Sequence, residues 1–263
     1  MTQTKEKDMS FLEHLEELRW HIVRSLASIM VIAVFVFLAK DFVFNDIILA
    51  PTRNDFLTYR LICEYLEALC FGPGEVTVFT RDLGEQFLIH LKVSFWIGII
   101  IAFPYIFWEI WKFVSPGLYE NERKATRGVV AICTFLFLSG VLFGYYIIAP
   151  FAIAFLSTYS VSDIVSDTFT LSSIVNYMTM FTIPAGLVFQ LPVGMYFLSK
   201  LGLVTPAFLK TYRKHAFVII LILSALITPP DVITQLLIAT PLYFLYEVSI
   251  WISARVQKKQ SNA

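Results

Sequence analysis

The polar residues of this chain fall in clusters, and long apolar runs separate them. Arg24 to Lys40 encloses one charge-free interval and Lys92 to Glu109 another. Arg127 to Asp163 and Asp167 to Lys200 enclose two longer ones, and His215 to Asp231 and Asp231 to Glu247 two shorter ones. A charged side chain at the bilayer centre costs roughly 2.5–3.5 kcal/mol on insertion scales, so charge-free intervals locate membrane spans. The pattern predicts six helices, over residues 22–43, 87–113, 127–158, 172–200, 213–228 and 232–254. Residues 216–228 are fewer than the ~20 that cross the hydrocarbon, so the fifth span starts within its basic flank or thins the bilayer. Pro104, Gly140, Gly144, Pro150, Pro184, Gly186, Pro192 and Pro241 punctuate the long helices and imply kinks, tolerated where neighbours satisfy the freed carbonyls. The expected fold class is all-α: a polytopic membrane protein of six kinked transmembrane helices forming a concave bundle, with residues 1–263 as a single integral membrane domain.

Composition supports this reading. Of the 263 residues 57% are hydrophobic and 15% charged, and the mean hydropathy is +0.72, whereas a soluble domain carries about 25% charge. Twenty Lys+Arg with 20 Asp+Glu cannot cover a soluble surface of this size, which points to membrane lipid as the solvent. The zero net charge gives no field for nucleic acid. Placement of the basic residues orients the chain. Lys5, Lys7, Arg19, Arg24, Lys112, Arg123, Lys124, Arg127, Lys200, Lys210, Arg213, Lys214, Arg255, Lys258 and Lys259 all fall on one side of the spans, leaving Lys40, Arg53, Arg60 and Arg81 for the other, with Lys92 near the start of the second span. The positive-inside rule makes the first side cytoplasmic, together with both termini. The first apolar run follows an acidic helix-forming segment and lacks a small-residue cleavage site, so it reads as a retained span.

Four polar regions carry candidate chemistry. In residues 9–21, Phe11, Leu15, Leu18 and Ile22 share one helical face, Ser10 and Glu13 match a capping box, and Glu17 has no structural duty. On this pattern alone a solvated surface carboxylate is the simpler reading of Glu17. Pro116-Gly117 breaks the chain between spans two and three, and Glu120 and Glu122 follow near the next helix start, where the dipole favours anions. Asp231 is placed to cap the sixth helix, with Gln235 one turn on. Glu247 either snorkels to the interface or pairs with Arg255, and Gln190 in mid-helix must find a partner or line a wet cavity. Residues 52–80 form an extended loop with a helical stripe of Phe56, Tyr59, Cys63, Leu66 and Cys70. Seven residues of helix would hold these cysteines about 10.5 Å apart, beyond the ~7 Å reach of a disulfide, so they are expected to be unpaired.

Enzyme chemistry finds no support. His14, His21, His90 and His215 are scattered, and the sequence holds no HExxH, nucleophile-elbow or glycine-rich phosphate motif, so no metal and no cofactor are expected. Transport would then draw on an ion gradient or a partner.

His14-Leu-Glu-Glu-Leu-Arg19, Ala50-Pro51, Trp111-Lys-Phe-Val-Ser-Pro-Gly-Leu-Tyr-Glu-Asn-Glu-Arg123 and Thr228-Pro-Pro-Asp-Val-Ile-Thr-Gln235, in this order, resemble the motifs of the TatC family, the polytopic subunit of the twin-arginine (Sec-independent) protein translocase. The resemblance covers nearly the whole chain. It implies a subunit of the bacterial cytoplasmic membrane that recognises twin-arginine signal peptides of folded precursors at its cytoplasmic face. It also implies that the subunit nucleates a translocation site with single-span subunits of the TatA/TatB type, self-associates in a larger complex and is driven by the proton motive force. Carried over by position, Glu17, Glu122, Arg19 and Phe113 form the signal-peptide site, while Pro51, Pro116, Asp231 and Gln235 fall on motif positions. Two features depart from the family: Gln190 stands where many members carry glutamate, and the 52–80 loop is longer. The competing class is a six-span secondary transporter of a small solute, coupling through Glu247 or Asp231. The 15-to-4 distribution of Lys and Arg around the spans leads us to expect reporter fusions at either terminus to be active only in cytoplasmic forms; periplasmic activity at either end would contradict the six-span topology.

Overall fold

The computed structural model describes residues 11–65, 70–74, 76–114, 126–160, 168–227 and 232–261. Helices dominate: α1 (Phe11–Leu38), α2 (Leu57–Tyr65), α3 (Glu85–Val114), α4 (Thr126–Phe143), α5 (Ala149–Thr158), α6 (Leu171–Val188), α7 (Leu191–Lys200), α8 (Pro206–Thr211), α9 (Arg213–Ile227) and α10 (Val232–Ser261). Among the described residues, four helical stretches are long and apolar enough to cross a membrane: Leu15–Leu38, Glu85–Val114, Gly128–Thr158 and Leu171–Lys200. The 15-residue α9 is about 22 Å long, short of the ~30 Å hydrocarbon thickness. The charge-free intervals therefore gave the helix positions closely. The all-α expectation needs one small correction, a parallel pair of three-residue strands, β1 (Thr77–Phe79) and β2 (Thr168–Thr170), with Val78 opposite Phe169.

The chain divides into two compact units, residues 1–38 with 92–134 and residues 39–91 with 135–263. In the first, α1 and α3 run antiparallel. A Cβ on Gly98 would lie 3.1 Å from the Ile29 carbonyl and 3.2 Å from Ala33 Cβ, so glycine lets the two backbones approach. Eleven residues further along α3, Glu109 meets His21, twelve residues back along α1.

In the second unit Gly140 and Gly144, one turn apart, face α6. A Cβ at Gly140 would fall 2.6 Å from the Ala185 carbonyl and one at Gly144 2.5 Å from the Phe181 carbonyl, so this crossing is backbone against backbone. Helix α10 packs against α7, α8 and α9. Ser199 Oγ donates to Ser253 Oγ at 2.8 Å, and the Tyr246 hydroxyl to the Leu209 carbonyl at 2.8 Å. Ile174, Met178, Phe181, Ile238, Leu242 and Ile250 supply the apolar core.

The helix breaks are stitched by hydroxyls. The π-helical turns Val43–Ile48 and Gly144–Ile148 precede Pro51 and Pro150. Proline frees the carbonyl four residues earlier. For Pro51 that carbonyl, on Ile47, accepts from the Tyr145 hydroxyl at 2.8 Å; for Pro150 the Tyr146 carbonyl accepts from Thr58 Oγ1. Tyr59, 1% exposed, donates to the carbonyls of both prolines, at 3.0 Å to Pro51 and 2.9 Å to Pro150. Burial pushes the Tyr59 hydroxyl far above its ordinary pKa, so it remains a donor at every working pH. Phe56 and Phe71 pack edge-on against the Tyr59 ring.

The cysteine expectation is overturned. Cys63 and Cys70 form a disulfide with Cα atoms 4.3 Å apart. Continuous helix would hold the pair about 10.5 Å apart, and Cys70 lies outside any described helix, so the assumed stripe does not run unbroken to Cys70. The fourth long helix is likewise not continuous. It is interrupted at Phe189–Gln190, which places Gln190 at the start of α7 rather than in mid-helix. Removing the Tyr59 hydroxyl strips the single proton shared between two buried carbonyls, a loss of about 1–3 kcal/mol. Tyr59→Phe is therefore expected to lower the thermal midpoint of the detergent-solubilised protein, a change that Tyr65→Phe, on an exposed ring, should not reproduce.

Candidate functional site

The first unit holds two carboxylates with opposite surroundings. Glu109, four residues before Phe113 on α3, has a side chain only 2% exposed. A buried charge needs partners, and Glu109 has them from both helices. His21 Nδ1 donates to its Oε2 at 2.5 Å, Arg24 Nη1 lies 3.8 Å from the same oxygen, and Lys112 Nζ lies 3.6 Å from Oε1. Lys112 in turn sits 3.4 Å above the Trp108 ring, a cation–π contact within its own helix.

Glu17 stands one turn before His21, with 39% of its side chain exposed. Its Oε1 lies 4.0 Å from His21 Nε2, beyond hydrogen-bond reach. Its Oε2 is buried and accepts no hydrogen bond among the described residues. Of the described buried side-chain atoms without a partner, this is the only carboxylate oxygen. Phe113 packs edge-on against the His21 ring, with centroids 6.1 Å apart. Thus two sequence-predicted residues, Glu17 and Phe113, both border one imidazole. Arg19 is exposed on α1. Glu122, Pro116 and Asp231 lie outside the described residues.

The remaining candidates belong to the second unit. Pro51 is buried in the turn Ala50–Thr52 and offers its carbonyl to Tyr59. Gln190 is half-buried at the α6–α7 break. Gln235 Nε2 donates to the Leu221 carbonyl at 3.1 Å, tying α10 to α9. Glu247 pairs with Arg213 Nη2 at 2.6 Å, not with Arg255, whose guanidinium lies 3.5 Å from the centroid of the Trp251 ring. Both alternatives considered for Glu247 overlooked a partner 34 residues away.

Sequence reasoning missed His21 and Glu109. His21 was set aside because the histidines are scattered, and Glu109 served only as the end of an apolar run. One signal was available: a carboxylate flanked by Trp108, Ile110 and Trp111 at a span end needs a basic partner, and His21 and Arg24 lie at the matching end of the first span.

Comparison with known proteins gives a consistent frame. The family described as Sec-independent protein translocase protein (TatC) matches residues 13–241. The Sec-independent protein translocase protein TatC of Blattabacterium sp. subsp. Periplaneta americana (strain BPLAN) is 38% identical over 98% of this chain and all of its own length. TatCy of Bacillus subtilis (strain 168) is 36% identical over 100% of this chain and 96% of its own. A crystal structure of the twin arginine translocase receptor TatC superposes with a TM-score of 0.72 at 30% identity, covering 93% of this chain and 100% of that one. This chain is a polytopic helical membrane protein of the TatC family, a Sec-independent protein translocase component.

Proposed function

We propose that this TatC protein is the signal-peptide receptor of a twin-arginine translocase in a bacterial cytoplasmic membrane, with both termini in the cytoplasm. The observation that carries the reading is the Glu17 carboxylate, whose buried Oε2 takes no donor among the described residues. In a membrane protein an acceptor oxygen enclosed without a donor is costly, by about 1–3 kcal/mol, and a ligand donor removes that cost. An arginine guanidinium presents the planar pair of N–H groups that a carboxylate accepts side by side, and lysine offers no such fork. Glu109 is already balanced by His21, Arg24 and Lys112 and has no capacity left for a second cation. Two ligand arginines call for two free carboxylates, so Glu122 is assigned as the second, with Arg19 and Phe113 flanking the peptide.

Binding at this site nucleates a translocation site with single-span subunits of the TatA/TatB type and further copies of this chain. The sequence holds no nucleotide-binding motif, which supports the proton motive force as the energy source and a non-enzymatic role. Pro51, Pro116, Gln190, Asp231, Gln235 and Glu247 are assigned to structure or partner contact. The Arg213 pair of Glu247 supports a structural part for it rather than ion coupling in a solute transporter.

A charge-assisted hydrogen bond contributes about 1.5–3 kcal/mol. Glu17→Ala and Glu122→Ala are each expected to weaken binding of a twin-arginine signal peptide to the purified protein by about tenfold or more, with normal membrane insertion. Replacing the peptide's arginine pair with lysines should weaken binding to the parent and matter less in the Glu122→Ala background. Parental binding and export by both variants would refute the site.

A further inference from the structure

We propose that His21 is a positioning residue that sets the rotamer of Glu17 for a guanidinium, with Glu109 as the buried post that fixes His21; the inference rests on the receptor reading of Glu17. Three observations support it. First, the imidazole cannot turn freely. Its side chain is 11% exposed, its Nδ1 donates to a carboxylate only 2% exposed, and Phe113 closes against its edge. Rotation would break a buried charge-assisted hydrogen bond. Second, the post is itself held from both helices, by Arg24 at 3.8 Å and Lys112 at 3.6 Å besides His21. This is more than a single pair needs, and it anchors Glu109 to both α1 and α3.

Third, the free edge of the fixed ring faces Glu17 without consuming it. Nε2 lies 4.0 Å from Oε1, close enough to border the carboxylate yet too far to occupy either oxygen. The i, i+4 spacing on α1 brings the two side chains together on one face. An unbordered glutamate on a helix surface samples several rotamers and loses that freedom when it binds. A bordered one loses less, and its carboxylate plane is defined before ligand arrives, which is what side-by-side recognition of a planar group requires. His21 thus acts through Glu17 and does not touch the peptide.

One substitution at His21 separates this role from a structural one. His21→Asn keeps an amide N–H near the Nδ1 position, so the Glu109 bond and the fold are retained, but it removes the Nε2 edge. Binding of a twin-arginine signal peptide and of its twin-lysine variant is measured on the purified full chain, alongside the thermal midpoint, in parent, His21→Asn, Glu17→Ala and the double variant. His21→Asn should keep the parental midpoint and lose roughly three- to tenfold in affinity for the arginine peptide, the scale of re-freezing one side chain. It should lose less for the lysine peptide, so the arginine-to-lysine ratio shrinks. In the Glu17→Ala background His21→Asn should cause no further loss. Parental arginine affinity in His21→Asn, or an undiminished loss in the Glu17→Ala background, overturns the positioning role and leaves Glu17 as receptor. Unchanged binding in Glu17→Ala alone overturns both.

Discussion

Hydrocarbon offers no hydrogen bonds, so each polar group that this chain takes into the bilayer must be matched from within the chain. Much of the architecture follows from that constraint. Pro51 and Pro150 break the helical ladder, and the carbonyls they free are met by Tyr145 and Thr58, while Tyr59 spans both breaks with one hydroxyl. Glu85 does the same work at the start of α3, accepting from the backbone N–H groups of Arg81 and Ser172 and so tying the turn before α3 to the first turn of α6. The hydroxyl pair Ser199–Ser253 matches itself. Gly140 and Gly144 serve a related end, since close backbone approach supplies the dispersion contacts that water exclusion cannot supply between helices in lipid.

Charge obeys the same rule, and the exception is informative. Glu109 and Glu247 each have a cationic partner, and Lys112 and Arg255 lie over Trp108 and Trp251. Against this background Glu17 has an enclosed oxygen that takes no donor among the described residues. One imidazole borders both carboxylates, with His21 Nδ1 bonded to Glu109 and Nε2 4.0 Å from Glu17.

Helix positions were legible in the sequence because lipid imposes a simple rule on charge: residues 87–113 and 172–200 were expected, and Glu85–Val114 and Leu171–Lys200 are found. What escaped was set by contacts between distant segments or by where a helix stops. The Cys63–Cys70 bond requires that helix not run unbroken to Cys70, and a stripe of apolar residues does not report its own end. The pairing of Glu247 with Arg213 and of Glu109 with His21 joins helices whose mutual register no local pattern encodes. The three-residue strands β1 and β2 pair across some ninety residues, which short runs such as Thr77-Val-Phe79 cannot announce. Of the candidate residues, Glu17 looked like an ordinary surface carboxylate by pattern, and only the family resemblance singled it out.

Site-specific crosslinking between a twin-arginine signal peptide and photoreactive residues placed beside Glu17 and beside Glu122 tests the receptor claim most directly. The expected result is a crosslink from the arginine-pair region of the peptide to both neighbourhoods, lost when the pair is changed to lysines. Crosslinks confined to other parts of the chain, or equal yields with the lysine peptide, would contradict it.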